Sequence, residues 1–260
     1  EKDFLERPRF TDPEILRSSL AGVILRMKAL HLGAVEDFPF IEPPQRRAIA
    51  DGYQLLQELG ALDERNELTA VGSELVRLPL DPRVARMILE ARERGALAEV
   101  LVIASALSVQ DVRARPLELQ AQADQQHAKF DDEKSEFSGY LNLWDWLDKA
   151  RGGHAPPPQP SPGGGGSHPT HKLSNRQYEQ LLRQNYISIR RVREWRDIHS
   201  QLHTVVAEHK WRLNERPADY EQVHKSMLAG LLGNLGWKLE DDEAYLGARG
   251  IKFYKHPGAH

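Results

Sequence analysis

The residues best suited to chemistry are cations in two places. The stretch Ser108-Val-Gln-Asp-Val-Arg-Ala-Arg-Pro116 puts Gln110, Arg113 and Arg115 in one polar loop. Further on, Arg190, Arg191, Arg193 and Arg196 crowd the first half of an amphipathic stretch. Guanidinium forks match phosphate oxygens and carry no base preference, so such a set suits gripping a nucleic-acid backbone. The plainer reading is a solvated exit loop and a helix face whose arginines pair with Glu194 and Asp197. One detail favours work: cations at the start of a helix oppose its dipole, a mild cost that suggests another purpose.

Other chemistry finds little support. With no cysteine, the chain has no disulfide, thiolate zinc site or thiol nucleophile. It contains no GxxxxGK[ST] phosphate loop, no HExxH and no GxSxG. Its 11 histidines are scattered, and His168 and His171 sit in a Pro/Gly-rich stretch, so no metal is expected. Asp131, Asp132, Glu133 and Glu136 make an acidic turn, without the alternating ligands and central glycine of a calcium loop. A net charge of −3 over 260 residues gives no global pull toward nucleic acid, so any basic surface is local. No apolar run is long enough to span a membrane, and no membrane partner is expected. Absent cysteine and an absent signal peptide fit the cytoplasm.

The elements that must position these cations follow from periodicity. Thr11 or Asp12 caps a helix with Pro13 and Glu14 in its first turn and Leu16, Leu20, Val23, Ile24, Met27 and Leu30 along one face; Gly33 ends it. A second helix carries Ile49, Tyr53, Leu56 and Leu59 and stops at Gly60. Ala61-Leu62, a polar turn and Leu68-Thr69 then form a short hairpin, which completes a winged-helix pattern. Glu42, Asp51, Glu58, Asp63, Glu64 and Glu67 surround its Gln45, Arg46 and Arg47, so the module reads as structural and not as a groove reader.

Pro82 opens a helix with Val84, Met87, Ile88 and Ala91 at helical spacing, and Gly95 stops it. The next helix, Leu97 to Leu107, is apolar on most sides and must be buried. It ends at Ser108, so a rigid mount delivers the polar loop. Residues 117 to 150 stay helical, with Trp144 and Trp146 in the core. Gly152 to Thr170 is low complexity and partly resembles an engineered GGGGS linker. Ser174 with Gln177 forms a capping box, and Ser188 caps a longer helix that buries Ile189, Val192, Trp195, Ile198, His199, Leu202 and Val205. A last helix runs from about Ala218 to Leu232. Gly233 to His260 reads as two or three strands, fewer than the five of an OB-fold.

These pieces together resemble the C-terminal accessory region of DEAH-box RNA helicases, the bacterial HrpA type above all. The resemblance rests on PEILRSSLAGVILRMKALHLG, FPFIEPPQRRAIADGYQLLQELGAL, LTAVGSELVRLPLDPRVARMILEA, VLVIASALSVQDVRARP, YISIRRVREWRDIHSQL, GLLGNLG and YLGARGIKFYKHPGA, in that order. It implies a mainly α fold: a winged helix over 13–78, a helical-bundle ratchet domain over 79–232 with a flexible insert at 152–170, and a small, incomplete OB-like β region over 233–260. Residues 1–12 would be a linker from missing RecA-like motor domains, since the chain opens at Glu1 without methionine.

ATP, Mg and hydrolysis would belong to that motor, leaving no cofactor and no catalytic residue in this segment. The partners implied are single-stranded RNA and the helicase's own RecA-like domains. RNA contacts would come from the loop after the buried ratchet helix, where the family's serine matches Ser108, with Gln110, Arg113 and Arg115 alongside. Arg190, Arg191 and Arg193 would form a second surface, and Arg249 and Lys252 would reach RNA from the OB-like strands. The alternatives are a DNA-binding winged-helix regulator with a helical partner-binding domain, and a protein-interaction scaffold.

Overall fold

The computed structural model describes residues 20–152, 173–240, 243–247 and 250–254. The expected helix start at Pro13, the linker before it, the insert from 153 to 170 and Arg249 lie outside these residues. The chain divides into two compact units: one takes the chain up to Glu93 and again from His224, the other holds Arg94–Val223. Both divisions fall inside helices, α4 (Pro82–Arg94) and α10 (Tyr220–Leu231).

The first unit begins with α1 (Ala21–Ala29) and α2 (Arg46–Glu58). Ile24 and Leu25 of α1 and Leu55 and Leu56 of α2 are buried, as the spacing of apolar residues requires. Helix α1 stops short of the Gly33 expected to end it. His31 takes a left-handed φ of 55°, and Leu30, expected inside, is 67% exposed.

The wing is minimal. Leu62 pairs with Leu68 antiparallel, and Asp63 Oδ1 accepts the Arg65 and Glu67 amides at 2.9 and 2.8 Å to close the turn. Thr69 then caps α3 (Ala70–Val76), an element not anticipated above, its hydroxyl accepting the Gly72 amide at 3.0 Å. Gly72 presses against the backbone here. A Cβ added to it would stand 2.2 Å from the Ala61 carbonyl oxygen. Gly72→Ala is therefore expected to cost about 1–3 kcal/mol through overpacking. A urea midpoint equal to the parent's would contradict that.

Helix α10 reaches α4 by the same device. A Cβ on Gly230 would lie 2.5 Å from the Arg83 carbonyl oxygen and 2.6 Å from Met87 Cγ. Beyond it, β1 (Gly236–Lys238), β2 (Ala244–Gly247) and β3 (Lys252–Tyr254) form an antiparallel sheet in that order. Trp237 pairs with Leu246, and Tyr245 with Phe253, whose rings stack at 5.6 Å.

The second unit is built on α5 (Leu97–Leu107), buried from Val100 through Ala106. Around it lie α6 (Gln120–His127), α7 (Glu136–Ala150), α8 (Asn175–Gln184) and α9 (Ile189–Glu208). Helices α7 and α9 both pack on α5. The lock is Trp195 of α9. Its indole N–H lies 3.0 Å from the buried Ser105 hydroxyl and 3.1 Å from the Val102 carbonyl. Trp144 meets the Trp195 ring edge-on at 4.9 Å, and Trp146 meets Phe130 at 5.3 Å, so both tryptophans serve packing.

The caps at Ser174 and Ser188 form as the sequence predicts. Helix α5 has no cap of its own. Asn214, far along the chain, accepts the Ala98 amide at 2.8 Å and donates to Glu99, which in turn accepts the Ala218 amide. None of the described helices is long and apolar enough to cross a membrane.

Candidate nucleic-acid interface

Ser108 ends α5, its hydroxyl donating back to the Ala104 carbonyl at 2.8 Å. The loop that follows is not loose. The Ala114 amide donates to the Tyr186 carbonyl at 2.7 Å, and the Ser188 amide donates to the Val112 carbonyl at 2.9 Å. Arg113 and Ile187 thereby form an antiparallel bridge, with Val112 and Ile187 buried beneath it. This pairing sets the loop beside the first turn of α9. Seven of the expected residues, Ser108, Gln110, Arg113, Arg115, Arg190, Arg191 and Arg193, therefore fall on two adjacent segments of one unit. Lys252 belongs to the first unit, exposed on β3.

The side chains sort into two kinds. Arg113 turns inward: its Nε and Nη2 grip the Asp111 carboxylate at 2.8–3.1 Å, and its guanidinium lies 5.5 Å from the Tyr140 ring centre. Burial works against its charge, but the hydrogen bond and charge of Asp111, with Tyr140 and Asp131 adding to them, hold the proton on. Arg191 donates to the Asp111 carbonyl at 2.8 Å and ties α9 to the same turn. These two are staples of the loop.

Ser108, Gln110, Arg115, Arg190 and Arg193 face solvent. Arg115 pairs with Asp124 at 2.7 Å, Arg190 with Glu194 at 2.9 Å and Arg193 with Glu179 at 3.5 Å. The side chains of Arg190 and Arg193 are 86% and 66% exposed. Exposed pairs of this kind are worth about 0–1 kcal/mol, so a phosphate can replace the carboxylate partner at little cost. Each of these three exposed arginines is thus balanced by an acid.

Sequence reasoning missed what stands behind the bridge. His127 Nε2 lies 3.1 and 3.2 Å from the Asn185 and Tyr186 carbonyls, and Lys129 donates to the Asn185 side chain. The Lys129 ammonium also rests 5.0 Å from the Phe130 ring centre and 4.9 Å from that of Trp146. Tyr186 takes φ 52° to make the turn into the bridge. No periodicity marks these residues, since their partners are nearly sixty positions away.

Burial lowers the pKa of His127 below its ordinary 6.5, with the nearby Arg113 charge adding to the effect. It does the same to His199, which also faces His203 and Arg196. The native state therefore prefers both imidazoles neutral, while the unfolded chain protonates them near 6.5. Stability of this unit is expected to be full above pH 6.5. It should fall as pH drops through 6.5 toward the lower native values. His127→Gln and His199→Gln should each flatten part of that slope in urea titrations between pH 7.5 and 5.5. An unchanged slope in both variants would contradict the assignment.

The first unit holds a small wing after two helices, and the second a helical bundle built on one buried helix. The helicase-associated domain (HA2), winged-helix, matches residues 53–80, and the helicase-associated domain (HA2), ratchet-like, matches residues 81–142. Over its whole length the chain matches the accessory region of HrpA-type DEAH-box RNA helicases. It is 44% identical over 264 aligned residues to the ATP-dependent RNA helicase HrpA of Escherichia coli, and 41% identical over 266 to the HrpA homolog of Haemophilus influenzae. Each alignment covers all of this chain and 19% of the relative. It is 36% identical over 146 residues to the probable ATP-dependent RNA helicase DHX35 of Pongo abelii, across 56% of this chain and 20% of that protein. The chain thus spans about a fifth of the length of these three relatives.

Proposed function

We propose that this chain is the non-catalytic accessory part of an ATP-dependent DEAH-box RNA helicase, and that it grips the backbone of single-stranded RNA. RecA-like motor domains would bind ATP and Mg and hydrolyse the nucleotide; the sequence of this segment has no phosphate loop for that task. The observation that carries the reading is the backbone bridge of Val112–Ala114 to Tyr186–Ser188. It sets the loop that carries Ser108, Gln110 and Arg115 beside the start of α9, which carries Arg190 and Arg193. Donors of this type hold phosphates without reading bases, which suits an enzyme that moves along any sequence. Arg249 and Lys252, the latter on β3, would add a second hold. The cytoplasm is the location we propose for this role, with no membrane partner.

The test is a triple variant, Arg115→Ala with Arg190→Ala and Arg193→Ala, in a polypeptide that joins this segment to its motor. Three lost phosphate contacts should weaken single-stranded RNA binding and flatten the slope of log K against log salt by about 2. An unchanged affinity and slope would reject the surface. Tight, sequence-dependent binding of duplex DNA by the chain would instead support a winged-helix regulator.

A further inference from the structure

The antiparallel sheet of the first unit turns different chemistry to its two sides. Residues opposite one another across an antiparallel pair share a face, and neighbours along a strand do not. The register therefore puts Trp237, Leu246 and Lys252 in one row, with Ala244 and Tyr254 in the next row of the same face. Tyr245 and Phe253 fall on the other face. There the two rings stack, and Phe253 lies over two glycines: a Cβ on Gly236 or Gly247 would stand 2.3 or 3.0 Å from its ring. Those two aromatics serve the sheet itself.

On the first face the rings stand in solvent. Trp237 is 77% exposed and Tyr254 66%, one on each outer strand, with Ala244 buried and Leu246 exposed between them. Scattered exposed apolar residues are ordinary, but two aromatics and an exposed lysine in adjoining rows make a patch. The strands carry Lys238 and Lys252 and no carboxylate. Glu240 and Glu243 lie in the turn between β1 and β2. A protein seated on this face would have to desolvate the Lys252 ammonium, and lysine is depleted at protein interfaces. A single strand of RNA matches both parts of the face, with the flat sides of its bases for the rings and its phosphates for the lysine. Trp237 and Lys252 are two strand spacings apart, about 10 Å, a span that one nucleotide and its neighbouring phosphate can bridge.

We infer that this face is a base-stacking platform for single-stranded RNA, with bases lying on Trp237 and Tyr254 and a phosphate at Lys252. It rests on the reading of the chain as an RNA-gripping segment and adds a contact of another kind. Stacking accepts any base, and it releases no counterions.

The test uses the segment joined to its motor. A single-stranded RNA, and copies of it with one base removed at successive positions, are bound to the parent, Trp237→Leu, Tyr254→Leu and Trp237→Phe. In the parent, removing a base that lies on the platform should weaken binding about tenfold. Each leucine variant should weaken the intact RNA by about the same factor, keep the parent's slope of log K against log salt, and abolish the penalty at its own base. Trp237→Phe, which keeps a ring, should restore most of both. A parent indifferent to every base removal would overturn the platform with no variant needed. So would leucine variants that bind intact RNA as the parent does, or that bind it more weakly while every base penalty persists. A lowered melting temperature with parental RNA affinity would overturn it in favour of a protein cover. The Arg115, Arg190 and Arg193 triple variant separates this inference from the reading beneath it. Binding untouched by the triple variant but weakened by Trp237→Leu would reject the arginines and keep the platform; the opposite pattern would keep the arginines and reject the platform.

Discussion

Trp195→Ala is expected to lower the stability of the second unit by about 3–5 kcal/mol. The ring is 1% exposed and is among the largest fully buried side chains of the chain. Its removal opens a cavity where α9 meets α5, strips the edge-on packing from Trp144 and Tyr140, and leaves the buried Ser105 hydroxyl without its indole neighbour. Each loss adds to the others because the same ring serves all of them. The bridge between Val112–Ala114 and Tyr186–Ser188 hangs on α5 and α9, so the loop proposed to face RNA should loosen with the core. Urea unfolding followed by circular dichroism reads the effect. A loss under about 1 kcal/mol would mean that the packing of α5 on α9 is not what holds this unit together.

The second large effect separates two arginines that the sequence presents as equals. Arg113→Ala is expected to cost about 1–2 kcal/mol, because the change removes the half-buried fork on Asp111 and its packing on Tyr140, and frees the turn that Arg191 also holds. Arg115→Ala is expected to stay within about 0.5 kcal/mol of the parent, since its pair with Asp124 is half exposed. Binding should divide the other way: at a temperature where both variants are folded, Arg115→Ala loses a phosphate contact and Arg113→Ala loses none directly. Thermal melts of the two variants decide the first half. Equal melting temperatures would place Arg113 on the surface and return it to the candidate phosphate ligands.

That contrast marks the limit of what the chain discloses unaided. Helix starts and stops with a local chemical cause were legible: Pro82 opening α4, Gly95 ending it with φ 67°, the Ser174–Gln177 box, Ser188, and the sheet near the C-terminal end. So was the burial of α5, because a helix apolar on most sides can do little else. Direction was not legible. A guanidinium in a loop carries no mark of whether it points out or back, and the clue to Arg113 was only an aspartate two residues earlier. Helix α3 hid behind the hairpin because Thr69 both ends the wing and caps the helix, one residue with two roles. Asn214 capping α5 and His127 holding the turn before α9 depend on partners remote in sequence, which no window of local pattern reaches. The face of α9 shifted at its far end for a related reason: Val206, not Val205, is fully buried, a one-residue difference that spacing alone leaves open over a 20-residue helix.

The most direct measurement is a crosslinking map. Single-stranded RNA carrying photoreactive uridines is bound to the segment joined to its motor domains, irradiated, and the attached peptides are sequenced. Crosslinks concentrated within Ser108–Arg115 and Ser188–Arg193, and lost at raised salt, are the predicted result. Crosslinks that skip both segments while the RNA remains bound would contradict the account.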